Sequence, residues 1–226
     1  MSHDLSQRLA SFGGRTSLRE QLVDVLRAAI VAGAMHPGSV YSARTIAASA
    51  GASPTPVREA MLDLAKEGLV EVVPNKGYRV TELTDRELDE ITALRELIEV
   101  PTIGEVARSG DRGALEALRP LAQELERTGG ENDLLAYLDL DRRFHLALLA
   151  LAGNATLVDV VQDLRSRSRL FGLGPIAERG DLLPGAQEHA QILDAVISGD
   201  ADRAQRLMRH HLHQVRTDWS SAPSRP

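Results

Sequence analysis

Cysteine is absent from the 226-residue chain. That excludes a disulfide framework and any thiolate metal site. Long apolar runs are absent too, and none approaches the roughly 18 residues that a membrane-spanning helix needs. The opening stretch MSHDLSQRLASFGG is polar and has no apolar signal core, so the expected location is cytoplasmic. There is no internal repeat, and the chain shows no strand pattern after the first third. An excess of positive charge is also missing. The formal net charge is −6, the wrong sign for a chain that binds nucleic acid over its whole surface. The charge is unevenly spread, however. Residues 1–82 carry 9 Lys+Arg against 8 Asp+Glu, and residues 83–226 carry 17 against 24. Acid is concentrated in the second part, so only local clustering of cations could make the first part a binding surface.

What is present begins with a polar stretch, residues 1–16, which reads as a flexible arm. From Ser17 to Val31 the residues Leu18, Leu22, Val25, Leu26, Ala29 and Ile30 form a helical stripe. Gly33 and HPG at 36–38 end it. A short helix fits Ala43–Ser49 and stops at Gly51. A third runs from near Thr55 to Glu67, with Val57, Ala60, Met61 and Leu64 on one face and Gly68 as its C-terminal cap. LVEVV (69–73), the turn PNKG (74–77) and YRVTEL (78–83) then read as a two-stranded wing. Helix, turn with Gly51, helix is the spacing of a helix-turn-helix.

The third helix opens with SPTPVREA (53–60), two prolines two apart. Ser53 or Thr55 can cap it, and Pro56 is tolerated because its missing N–H has no intrahelical partner in the first turn. The prolines stiffen the helix entry. Hydroxyls and unpaired N–H groups at such an end suit a phosphate, and Arg58 projects close by, where a recognition helix meets base edges.

Taken together, AGAMHPG, TPVREAM and LAKEGLVEVVPNKGYRV resemble the DNA-binding domain of GntR-type bacterial transcription regulators over residues 17–81. The resemblance implies a winged helix-turn-helix that binds double-stranded operator DNA through Arg44, Ser53, Thr55, Arg58 and the wing residues Asn75, Lys76 and Gly77. One position departs from the pattern. Pro54 stands where family members often carry a base-reading Arg. A bidentate Arg–guanine contact is worth about 1–3 kcal/mol, so the expectation is a different base preference at one operator position. The alternative is a protein-interaction module in which Arg58 pairs with Glu59 or Glu67. The cluster Arg44, Arg58, Lys76 and Arg79 in an otherwise balanced region favours DNA.

Beyond the wing the pattern is helical throughout. TDRE (84–87) is a capping box that starts a helix running to about Arg108, with a bend expected at Pro101. Further helices fit 111–127, 131–151, 155–170, 185–198 and 201–218, with Asp200 as N-cap of the last. The fold class is therefore mainly α. A winged helix-turn-helix (17–82) is followed by an antiparallel bundle of about six helices (83–219), and SSAPSRP (220–226) reads as a disordered tail.

Helical phase sorts the histidines of the bundle. Asp141 and His145 lie four apart in DRRFH, and His145 shares a stripe with Leu138, Leu148 and Leu149. His189 shares a face with Ile192, Leu193 and Val196. His211 lies on the stripe Ala204, Leu207, Met208, Leu212 and Val215, whereas His210 and His213 lie on the other face. Asp141, His145, His189 and His211 could therefore converge. Three imidazoles and a carboxylate suit Zn²⁺ or another borderline divalent ion, with Ni²⁺ and Mn²⁺ also compatible. The plainer reading makes each inward His a hydrogen-bonded core residue. Arg95 lies on the apolar stripe of its helix with Leu88, Ile91 and Ile98, and a buried Arg needs an anion. Glu99 or Glu96 could supply it, and so could the carboxylate of a small bound molecule. Arg165 and Arg169 are further candidates for holding that carboxylate.

Residues 84–218 resemble the all-helical C-terminal FCD domain of the FadR-like branch of the same family, in DRRFH, EH (188–189), MRHHL (208–212), LRELIEVP (94–101) and AGNATL (152–157). The resemblance implies a metal held by Asp141, His145, His189 and His211, a small organic-acid effector, and a homodimer reading a palindromic operator. The expected function is a DNA-binding transcription regulator, most simply a repressor, and not an enzyme. The alternatives are a metal-dependent hydrolase on a helical bundle and a scaffold whose metal is purely structural.

Overall fold

In a computed structural model, the described residues are 17–31, 33–168, 179–180 and 182–220, without the side chains of 215 and 217–220. The expected arm (1–16), Arg169 and the last six residues of the expected tail lie outside them. The chain divides into two compact units between Glu82 and Leu83.

The first unit contains α1 (Leu18–Val31), β1 (Val40–Tyr41), α2 (Ala43–Ala50), α3 (Pro54–Lys66), β2 (Val70–Val73) and β3 (Gly77–Val80). Ser42 caps α2, its hydroxyl accepting from the Thr45 N–H at 3.0 Å. Gly51 ends α2 in the left-handed region (φ 64°), where a side chain would be strained, and its N–H returns to the Ala47 carbonyl. Leu22, Leu26, Val57, Met61 and Leu64 close the core between α1 and α3 at 0% exposure. The sequence suggests a two-stranded wing, but the sheet has three antiparallel strands in the order β1-β3-β2. Two residues are too short to show an alternating pattern. Val40 and Tyr41 pair with Arg79 and Tyr78 because β3 otherwise has an open edge there. Gly77 sits at φ 134°, and a Cβ on it would lie 2.3 Å from the Tyr41 carbonyl oxygen, so only glycine fits this corner of the wing.

Among the described residues the second unit contains helices and no strand. Its elements are α4 (Asp85–Ser109), α5 (Arg112–Glu116), α6 (Arg119–Gly130), α7 (Leu134–Ala150), α8 (Ala155–Ser168), α9 (Leu182–Ile197) and α10 (Ala201–Ser220). The capping box forms as expected. Glu87 N–H donates to Thr84 Oγ1 at 3.2 Å, and Thr84 N–H donates to Glu87 Oε2 at 2.8 Å. α4 runs unbroken through Pro101 for 25 residues. The single helix expected over 111–127 is two, because Pro120 lacks the N–H that would bond the Glu116 carbonyl, and α6 restarts around it. Asp200 does stand at the head of α10, its carboxylate accepting from the Arg203 N–H at 2.9 Å.

α10 lies along α4 in antiparallel sense. Arg216 bonds Asp89, Arg209 bonds Glu96, and Gln205 lies against Gly104. α9 packs on α6 and α10, and α7 packs on α6 and α8. Ile103, Leu125, Phe144, Leu148, Val161, Ile192, Val196 and Met208 fill the centre at 0% exposure. Within this apolar core, α4, α7, α8, α9 and α10 each turn polar side chains inward.

Candidate functional site

The first unit presents a helix end and a wing. Arg44, Ser53, Thr55, Arg58, Asn75 and Lys76 are exposed, and Gly77 is half-buried. Ser53 is the N-cap of α3, with Pro54 at the first helical position and Pro56 at the third. An N-cap hydroxyl normally accepts from the N–H of the second or third helical residue. Pro56 has no N–H, and the Ser53 hydroxyl makes no capping bond. Four N–H groups lack intrahelical partners at a helix start, and here the two prolines delete two of them. The end is therefore a poorer backbone clamp for phosphate than its hydroxyls suggest, and the Ser53 hydroxyl is left to an outside acceptor.

Acid on the far half of α3 is engaged by α1 and by a neighbour. Arg27 Nη2 meets Glu67 at 2.8 Å, Lys66 meets Asp63 at 3.0 Å, and Arg19 also bonds Asp63. Among the described residues no carboxylate pairs with Arg44, Arg58 or Lys76, whereas Arg79 lies 4.0 Å from Glu71. The pairing of Arg58 with Glu59 or Glu67, on which the protein-interaction alternative leaned, is not formed.

In the second unit, buried polar groups make a connected network. Glu99 of α4 accepts from Arg95 Nε at 2.7 Å and from Arg165 Nη1 of α8 at 2.9 Å. Arg165 Nη2 donates to Asp141 Oδ2 of α7 at 2.6 Å. The other Asp141 oxygen lies 3.0 Å from His189 Nε2 and 3.8 Å from His145 Nε2, and the two Nε2 atoms are 3.2 Å apart. His211 of α10 stacks on His145, with ring centroids 5.1 Å apart, and its Nδ1 bonds Glu188 Oε2 of α9 at 2.6 Å. Asp141, His145, His189 and His211 each offer a ligand atom, all within 4.8 Å of one another. All four residues are at most 1% exposed.

The protonation states follow from burial. It holds the His145 imidazole well below its ordinary value, helped by the nearby Arg165 charge. It brings His211 down to about 3, against the opposing pull of Glu188. Both rings are neutral near pH 7, the form that can ligate a metal. Arg95 is pulled down by burial to about 10 and stays charged. Burial would raise the Glu99 carboxyl, but Arg95 and Arg165 outweigh it and hold it below the usual range.

This donor set fits a divalent cation. The His189 Nδ1 lies 3.2 Å from the Ala186 carbonyl, which can only accept, so that nitrogen carries a proton. A neutral His189 then turns a lone pair at Nε2 onto a carboxylate oxygen and a second imidazole nitrogen. Only a proton or a cation can sit among these acceptors. The formal charges agree. The guanidiniums of Arg95 and Arg165 face the carboxylates of Glu99 and Asp141, and Glu188 adds a third carboxylate beside His211, so with the rings neutral the formal sum is −1.

The four candidate ligands marked by helical phase are thus brought together, while His210 and His213 lie outside, with side chains 66% and 58% exposed. Arg95 is buried, as its place on the apolar stripe suggests, and Arg165 is buried as well, but Glu99 occupies the place between them that the sequence also offered to a bound carboxylate. Arg165 Nε is buried and has no partner among the described residues. Sequence reasoning missed Glu188. It stands next to His189 in QEHAQ, and about a third of a turn round the helix it reaches His211, a pairing between helices with no sequence signal.

Comparison with known proteins agrees with both halves. Residues 18–80 match the family model for bacterial regulatory proteins of the gntR family, and residues 90–214 match that of the FCD domain. The chain is 33% identical over 214 residues to an HTH-type transcriptional regulator from Streptomyces ambofaciens, covering 93% of this chain and 88% of that one. It is 33% identical over 165 residues to the HTH-type transcriptional repressor GlaR of Escherichia coli, covering 70% and 75% of the two chains. The solved structure of E. coli McbR/YncC superposes with a TM-score of 0.68 at 25% identity, covering 88% of this chain and 95% of that one.

Proposed function

The chain belongs to the GntR family of bacterial regulatory proteins and carries its FCD domain, and on that premise we propose that it is a homodimeric repressor whose hold on a palindromic operator is set by a small organic acid at the buried cluster of the second unit. That it is a DNA-binding transcription regulator, and not an enzyme, follows from the family and its relatives. The hydrolase alternative fails on the same ground.

At the DNA, α3 is the recognition helix. Arg58 is exposed and has no carboxylate partner among the described residues, which leaves its guanidinium for a base edge or a phosphate. Ser53, with its idle hydroxyl, and Thr55 stand at the helix start, Arg44 flanks them, and Asn75, Lys76 and Gly77 present the wing. Two heads related by a two-fold axis would read half-sites about one helical turn apart. Pro54 offers neither a donor nor a cation at its position, which sets the base preference apart from that of Arg-bearing relatives. Among the described residues no helix is long and apolar enough to cross a membrane, in keeping with a cytoplasmic regulator.

In the bundle, Asp141, His145, His189 and His211 would hold a divalent transition ion. Their nitrogen and oxygen donors suit Zn²⁺, with Ni²⁺ and Mn²⁺ compatible. When bound, such an ion supplies a Lewis-acidic anchor for the carboxylate of an organic acid. Arg165 orients Asp141 through Nη2, and Glu99 ties Arg165 to Arg95 on α4. α4 starts three residues after the boundary between the units. A ligand that favours one setting of these helices would bias the placement of the DNA-binding heads, and DNA would bias ligand affinity equally. Arg169 remains a proposed contact of the acid, outside the described residues.

The observation that carries this reading is the convergence of four ligand atoms within 4.8 Å in a site already holding net negative charge. A purely structural metal is the second reading, favoured by the near-complete burial of the four residues. A thermal-shift screen of small carboxylates, on zinc-loaded and on chelated protein, separates the two. A carboxylate that raises the melting temperature only of the loaded form supports the sensor. Stabilisation by metal with no response to any acid supports the structural role.

A further inference from the structure

The three imidazoles of the cluster share a feature that phase alone does not reveal. Each turns Nδ1 toward an oxygen acceptor. For His189 it is the Ala186 carbonyl at 3.2 Å. For His145 it is Glu99 Oε2 at 3.7 Å, beyond hydrogen-bond distance. For His211 it is Glu188 Oε2 at 2.6 Å, the shortest of the three. A proton on Nδ1 leaves Nε2 as the nitrogen with a lone pair, and a carboxylate partner also makes that lone pair more basic. The three acceptors differ in what else they do. The Ala186 carbonyl belongs to the backbone. Glu99 is clamped between two buried guanidiniums, and its loss would take the carboxylate from Arg95 and leave Arg165 with Asp141 alone. Glu188 has no guanidinium partner among the described residues. Its side chain is 18% exposed, and its second oxygen lies 3.5 Å from the Nε2 of the exposed His210.

We propose that Glu188 is a positioning residue of the buried cluster: it accepts the Nδ1 proton of His211, holds that ring in the tautomer that offers Nε2, and thereby sets the affinity of the site for a divalent ion. The inference rests on the metal-site reading given above. It concerns a residue that reaches the cluster from α9 while its histidine stands on α10, so it also ties together the two helices that supply His189 and His211. Glu188 is not itself a ligand. Its one close partner in the cluster is His211 Nδ1.

The test uses the full chain and three variants, Glu188→Ala, Glu188→Gln and Glu96→Ala. Glu96 is the control, because it also binds α10, through Arg209 and His213, but touches none of the four cluster residues. Two quantities are measured. One is Zn²⁺ affinity by competition with a chromophoric chelator. The other is the His211 tautomer in metal-free protein, from nitrogen-15 correlation spectra of the imidazole rings. Loss of a partner behind a ligating histidine typically weakens metal binding by about 10–100-fold. That fall is expected for Glu188→Ala, with a smaller one for Glu188→Gln, which keeps a neutral acceptor, and none for Glu96→Ala. His211 should carry its proton on Nδ1 in the wild type and shift toward Nε2–H in Glu188→Ala. Should Glu188→Ala fail to fold, the Gln variant carries both readouts. A wild type that binds Zn²⁺ tightly, with Glu188 variants of equal affinity and unchanged tautomer, overturns the inference and spares the metal site. A wild type that binds no metal overturns the metal reading, and with it the role of Glu188 in affinity.

Discussion

Acid should unfold the helical unit over a pH range set by its buried imidazoles. His145 and His211 are held neutral in the folded protein, His211 with its value brought from 6.5 down to about 3. In the unfolded chain both take up protons near their ordinary value of about 6.5. Below that pH the unfolded state binds more protons than the folded one, so stability falls as pH falls. The loss begins near pH 6.5 and continues for His211 until about pH 3. Each tenfold rise in proton concentration within this window costs about 1.4 kcal/mol per ring, so moving from pH 7 to pH 5 costs about 2 kcal/mol for His211, and His145 adds a loss of the same sign. For a unit of this size the His211 share alone lowers the melting temperature by about 4–8 °C. Glu99 and Glu188 do not obscure this window. Both lie below their ordinary 4.5, so the stability they contribute is lost only at more acid pH. The assay is thermal unfolding in chelator at pH 7, 6 and 5, followed by far-ultraviolet circular dichroism. His211→Gln should make the slope shallower. A midpoint that stays flat from pH 7 to pH 5 would show that the rings are not held neutral, and would refute the electrostatic account of the cluster.

Three other outcomes follow from the same geometry. Arg58→Ala should cost about 1–3 kcal/mol of specific operator binding and leave stability within about 0.5 kcal/mol, since the side chain is exposed and has no ion pair among the described residues; an unchanged footprint would remove Arg58 from the DNA contacts. Pro54→Arg should restore a base-reading cation at the head of α3, and a binding-site selection returning the same motif for both proteins would reject that role. Arg165→Met should destabilise the chain by about 3–5 kcal/mol, because it strips a partner from both Glu99 and Asp141 in a fully buried setting; a melting temperature within about 2 °C of wild type would show that the network carries little energy.

How much of this is legible in the sequence depends on whether the signal is local. Asp141 and His145 are readable because four residues make about one turn of helix, and the apolar neighbours of His145 give the direction. The choice of His211 over His210 comes from the same phase, and the side chains are 2% and 66% exposed. Gly51 and the capping box at Thr84 are readable because caps are written within three or four residues. Contacts between helices are not. Glu188 meeting His211 and Glu99 reaching Arg165 depend on packing that no single helix records, whereas Glu99 beside Arg95 lies within one helix and is one of the two partners read from the sequence. β1 escapes because two residues show no period, and the split of α5 from α6 escapes because Pro120 sits inside an otherwise continuous apolar pattern. Pro56 carries two messages. Its tolerance in the first turn is plain from the sequence, but the structure is needed to show that it removes a donor the Ser53 hydroxyl could have capped.

The claim that most of the account depends on is that the four inward residues hold one metal ion. Elemental analysis of purified wild type, His189→Ala and His210→Ala after loading with Zn²⁺ and gel filtration tests it directly. The expected result is about one ion per chain in the wild type and in His210→Ala, with the ion lost from His189→Ala. Metal retained by His189→Ala and lost from His210→Ala would contradict it, as would a wild type that emerges without metal.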